Sequence, residues 1–86
     1  MTLRTLRQQI DRLDGRLLRL LNRRARLAVR VGRLKRRQGL GLFDPRRERA
    51  ILRQVARANH GPLSAAAVRG IYREILTQVR RLERSA

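Results

Sequence analysis

Cysteine is absent from this sequence, and with it disulfides, thiolate nucleophiles and cysteine metal sites. A single histidine, His60, excludes a histidine cluster and reads as a turn residue. No apolar run approaches the roughly 18 residues of a membrane span. The opening Met1-Thr2-Leu3-Arg4 does not begin a signal-type apolar core. A soluble, cytoplasmic protein is therefore expected. Phe43 and Tyr72 are the only aromatics, which leaves almost nothing to stack bases on, and zinc-finger spacing is missing. Acidic residues number six against 23 basic ones. Eighty-six residues allow one domain, spanning 1–86, with a thin core of its own.

What is present is positive charge. The net charge of +17 calls for an anionic partner: nucleic acid, an acidic surface or a small polyanion. Twenty-two of the basic residues are arginine, spread over all faces, and one is lysine, Lys35. A general preference for arginine gives much the same picture. Lysine offers a compact point donor where arginine offers a planar fork, so a lone lysine marks a place where a single donor atom is wanted, unless it fell there by chance.

Hydrophobic spacing gives an all-α fold of three helices. Leu3, Ile10, Leu17 and Val31 fall seven or fourteen apart, as do Leu6, Leu13, Leu20, Leu27 and Leu34. This heptad seam predicts a helix over 3–37, about 50 Å long. Gly39 is the expected cap. Asp44 as N-cap and Pro45 at the first helical position start a second helix over 45–58 that buries Ile51, Leu52 and Val55. Asn59-His60-Gly61-Pro62 is a turn. Ser64 caps a third helix over 64–84, with an apolar stripe of Val68, Tyr72, Ile75, Val79 and Leu82. Two short helices cannot cover so long a seam, and a second copy can. The leucine-rich stretch Leu17–Leu21 lies near its middle, so an intertwined antiparallel homodimer is expected.

One seam position is charged. Arg24 stands where the series requires an apolar side chain, so it either snorkels to water or faces a bound anion. Arg24, Ala28, Val31 and Lys35 share one helical face, with about 16 Å between its ends. Asp44, Arg47, Glu48 and Ile51 share another, at a helix N-terminus with a partial positive field. The ordinary alternative there is a capping aspartate and a solvated charge run. Glu83 continues the line Tyr72, Leu76, Val79, or else frays into solvent.

These residues, in this order, resemble the all-α (AroQ-class) chorismate mutases. The matching stretches are Leu6-Arg7-Gln8-Gln9-Ile10-Asp11-Arg12-Leu13-Asp14, Leu20-Leu21-Asn22-Arg23-Arg24, Val31-Gly32-Arg33-Leu34-Lys35, Asp44-Pro45-Arg46-Arg47-Glu48-Arg49 and Ile71-Tyr72-Arg73-Glu74-Ile75-Leu76. The resemblance implies a Claisen rearrangement of chorismate to prephenate, toward phenylalanine and tyrosine, with no cofactor, metal or covalent intermediate. It implies that Arg7, Arg24 and Arg47 hold the two substrate carboxylates. It further implies that Lys35 donates to the ether oxygen and helps hold a carboxylate, and that Glu48 accepts from the ring hydroxyl. Asp44 stands in the same wall, and Glu83 matches the family's glutamine or glutamate whose donor also reaches the ether oxygen. Arg7 and Arg24 lie about 25 Å apart along one helix, so both can grip one molecule only across a dimer. In an antiparallel pair centred near residue 18, Arg7 falls opposite about residue 29, between Arg24 and Lys35.

Two departures from the family pattern stand out. Val79 occupies a position often small or polar, and cannot donate a hydrogen bond. Glu83 must be protonated to donate. Competing readings are an isochorismate-pyruvate lyase of the same fold, a basic helical module binding nucleic acid or an acidic partner, and a dimerisation module without catalysis. Glu48 favours the mutase over the lyase, and Arg24 inside an apolar seam argues against a purely structural role.

Overall fold

The computed structural model describes residues 1–86 as three helices: α1 (Leu3–Arg37), α2 (Pro45–Ala58) and α3 (Ala65–Ser85). Each start has a local cause. Thr2 caps α1 reciprocally with Thr5: the Thr5 amide donates to Thr2 Oγ1 at 3.1 Å, and the Thr2 amide donates to Thr5 Oγ1 at 2.9 Å. Asp44 Oδ1 accepts the Arg47 amide at 3.1 Å, with Pro45 in the first turn. Ser64 Oγ accepts the Ala67 amide at 3.0 Å.

The end of α1 refines the expected cap. Gln38 is the C-cap and Gly39 is the next residue, at φ +71°. The Leu40 amide donates to the Lys35 carbonyl at 2.8 Å, and the Gly39 amide to that of Arg36 at 3.1 Å. This paired closure needs a left-handed residue, a conformation that glycine adopts without a Cβ penalty. Asn59 holds the α2–α3 turn, its Nδ2 donating to the Leu63 carbonyl at 2.7 Å and its Oδ1 accepting the Gly61 amide at 3.3 Å.

Helix α3 packs against both α2 and α1, whereas α2 does not pack on α1. The chain measures 55 × 25 × 16 Å with a radius of gyration of 15.9 Å, against about 12 Å for a compact globule of this length. Val68 and Leu76 are the only buried apolar side chains. Of the two lines expected on α3, the one through Tyr72, Leu76 and Val79 is the inner one, and Leu82 of the other leaves it. Because α3 is squeezed between two helices, its innermost line runs Val68, Tyr72, Leu76, and Leu82 turns outward, 44% exposed. Ile51, Leu52 and Val55 on α2 are half-buried.

Helix α1 overhangs the other two. Ten large apolar side chains along it, from Leu3 to Leu34, remain 44–64% exposed. That is far more contiguous apolar surface than an isolated soluble chain ordinarily leaves to water. No helix is long and apolar enough to cross a membrane.

Candidate active site

The three helices enclose a cleft of about 260 Å³, a size suited to a compact small molecule. Helix α1 contributes Arg24, Leu27, Ala28, Val31 and Lys35. The loop and first turns of α2 contribute Leu42, Asp44, Arg47, Glu48 and Ile51, and α3 contributes Leu76, Val79, Arg80 and Glu83. Seven of the eight residues singled out in the sequence therefore line one cavity: Arg24, Lys35, Asp44, Arg47, Glu48, Val79 and Glu83. Arg7 does not. It lies on the overhanging end of α1, about 25 Å along the helix from Arg24.

The positions follow from helix geometry. Residues 24, 28, 31 and 35 recur at intervals of four and three, which lines up Arg24 and Lys35 on the face of α1 toward the cleft. The Asp44 cap fixes where α2 begins and so where Arg47 and Glu48 point. On α3, the spacing 76, 79, 80, 83 presents four side chains to the same cavity.

Glu83 is seated by two features not legible in the sequence. Gly32 is buried, and a Cβ built there would meet Glu83 Oε2 at 3.3 Å and Leu42 Cδ2 at 3.4 Å, so glycine leaves the room that this carboxyl occupies. Arg36 reaches from α1 to the last turn of α3. Its Nη2 donates to the Glu83 carbonyl at 2.6 Å, and its Nη1 donates to the backbone oxygen of Ala86. A guanidinium on the terminal carbonyls complements the negative end of the helix and anchors the segment that carries Glu83. Burial pushes the Glu83 carboxyl above its ordinary pKa. Lys35 opposes this, Glu48 adds to it, and Arg36 and Arg24 oppose it, with burial prevailing.

Arg80 is the lining residue that the sequence concealed. Its Nη1 donates to Glu48 Oε1 at 2.5 Å and to Oε2 at 2.6 Å, forming the only ion pair in the chain. Its Nη2 approaches Thr77 Oγ1 at 3.4 Å, and its guanidinium carbon lies 4.7 Å from the centroid of the Phe43 ring. Among 22 arginines one more carries no signal. The available clue was its i, i+3 and i, i+4 relation to Leu76 and Glu83.

The cavity thus holds four cationic and three acidic side chains on an apolar floor, and Arg24, Lys35 and Arg47 have no carboxylate partner. Such an arrangement suits a small molecule carrying more than one negative charge.

Comparison with known proteins agrees. A bifunctional chorismate mutase/prephenate dehydratase of Aquifex aeolicus is 42% identical, covering 95% of this chain and 24% of its own length. The chain therefore spans about a quarter of such bifunctional relatives. A 4-amino-4-deoxychorismate mutase of Streptomyces venezuelae is 37% identical, covering 94% of this chain and 80% of its own. The solved chorismate mutase (Form II) of Thermus thermophilus superposes with a TM-score of 0.92 at 36% identity, covering 94% of this chain and 92% of that one. The family model for chorismate mutase type II matches residues 6–84, and the chain belongs to that family of isomerases.

Proposed function

We propose that residues 1–86 form a single mutase domain that rearranges chorismate to prephenate in an antiparallel homodimer with two shared sites. What carries the reading is the convergence of Arg24, Lys35 and Arg47, unpaired, on one cleft with Glu48 and Glu83. The rearrangement breaks the ether C–O bond and forms a C–C bond within one molecule, with no net transfer of proton or electron. Catalysis therefore reduces to holding a flexible dianion in its reactive conformer and stabilising the oxygen that gains charge.

Arg24 and Arg47, with the partner's Arg7, grip the two carboxylates as bidentate forks. Lys35 and protonated Glu83 donate to the ether oxygen. Glu48 accepts from the ring hydroxyl, Asp44 fixes the start of α2, and Val79 supplies apolar wall. The dimer covers the exposed leucines of α1 and brings Arg7 to the site its own chain cannot reach. Disappearance of chorismate absorbance, with the product identified, tests the assignment. A folded dimer that forms no prephenate overturns it.

Two further outcomes are expected. Glu83 donates only while protonated, and burial shifts its pKa upward, toward that form. Bound dianion raises it further. Turnover should fall as pH rises through this ionisation, and Glu83→Gln should flatten that limb. A pH profile shared by both proteins removes Glu83 from the ether oxygen. Gly32→Ala separates stability from activity. Alanine gains about 1 kcal/mol in helix propensity, yet its methyl sits 3.3 Å from Glu83 Oε2. Tm should hold or rise while kcat drops about tenfold through misplacement of that donor. An unchanged kcat would show that Glu83 needs no such fixed seat.

A further inference from the structure

Arg80 is not a loose surface arginine. It is gripped from three sides, by Glu48 of α2, by Thr77 of its own helix and by the Phe43 ring of the α1–α2 loop. The Arg80 and Glu48 side chains are only 26% and 22% exposed. The charge of Glu48 is therefore compensated before any ligand arrives. Its oxygens keep unused lone pairs, since an ionised carboxylate offers about four acceptor sites and Arg80 takes two.

A neutral hydroxyl can donate to one of those lone pairs without altering the charge balance. An ammonium in the same place gains little from a carboxylate already neutralised. It also comes to rest beside the guanidinium, and the other charged groups of the cleft do not rescue it. Arg24 and Lys35 from α1 and Arg47 from α2 are cations. Asp44 is engaged in capping α2, and Glu83, its pKa raised by burial, is already under the charges of Lys35, Arg36 and Arg24.

We propose that Arg80 makes this site selective for a neutral hydroxyl, against an ammonium, at the ring position that faces Glu48. The role rests on the mutase reading and extends it to the choice between two substrate classes. Arg80 acts through Glu48, as a positioning and specificity-determining residue. The repulsion between the guanidinium and an ammonium about 6 Å away, at an effective dielectric of about 20, is worth roughly a hundredfold, and that is the share of the preference that Arg80 supplies.

The test measures kcat/KM for chorismate and for the analogue bearing an amine in place of the ring hydroxyl, at a pH where the amine is protonated. Wild type, Arg80→Met and Arg80→Lys are compared. Methionine keeps an unbranched stem and the helix propensity of arginine without its charge. Wild type should favour the hydroxyl, and Arg80→Met should narrow the ratio at least tenfold, chiefly by improving the amine substrate. Arg80→Lys, which keeps the charge, should preserve the preference. A loss in Arg80→Met that is equal for both substrates, with the ratio unchanged, makes Arg80 merely structural and overturns the proposal. Wild type supplies a second measurement, valid even if a variant misfolds. Its ratio should narrow as pH rises and the amine loses its charge, and a constant ratio overturns the proposal too. The pH values compared all lie above the Glu83 ionisation, so that the amine is the group whose charge changes across them. Turnover of neither substrate by wild type overturns the mutase reading itself, a result distinct from an unchanged ratio.

Discussion

Lys35→Ala is expected to lower kcat/KM for chorismate about a thousandfold with the helical content unchanged. Losing one donor to a developing oxyanion costs about 10²–10³ in kcat, and here the same ammonium also helps hold a carboxylate. Lys35 lies in the last turn of α1, half-buried and turned into the cleft, where its charge acts directly on Glu83. Arginine should not rescue it. A guanidinium spreads its charge over a plane built to meet two oxygens, whereas an ether presents one. Parallel assays of Lys35→Ala and Lys35→Arg, with circular dichroism to verify folding, decide the matter. Near-wild-type turnover by the arginine variant would mean that only positive charge is needed there.

Arg7→Ala and Lys35→Ala should each be nearly inactive alone, yet regain activity when mixed. In a shared-site dimer each pocket combines Arg7 of one chain with Lys35 of the other. A heterodimer of the two variants carries both lesions in one pocket and none in the second. Random reassociation from equal amounts makes half the dimers heterodimers, so about a quarter of all sites are intact. Denaturing the two variants together, refolding them and assaying the mixture gives a recovery of about two orders of magnitude over either alone. If Arg7 served its own chain, every pocket would stay damaged and mixing would recover nothing. The outcome tests the antiparallel pairing and the origin of Arg7 in one experiment.

The helices were legible because their causes are local. Asp44 and Ser64 announce their caps, and the leucine spacing of α1 fixes a single long helix. Arg24 was legible because a charge inside an apolar seam breaks a pattern, and Lys35 because it is alone. Gly32 and Arg80 were hidden for opposite reasons. Glycine in mid-helix ordinarily signals weakness, and its use here depends on Glu83, 51 positions away in sequence. Arg80 repeats the commonest residue in the chain, and its meaning lies in a contact with Glu48 across 32 positions. Periodicity also placed Leu82 on the inner edge of α3, because it cannot tell a helix packed on one neighbour from a helix packed between two.

The wall that α3 gives to the cleft has an evolutionary consequence. Val79, Arg80 and Glu83 stand beside the buried Leu76 on one face of a single capped helix, and no mobile loop intervenes between the first and the last. Exchanging Val79, Arg80 or Glu83 alters shape, polarity or charge while the backbone stays put. New substrate preferences can thus arise by single codon changes, each selectable without a folding defect to repair first, and an ancestral scaffold of this kind can branch into paralogous activities gradually.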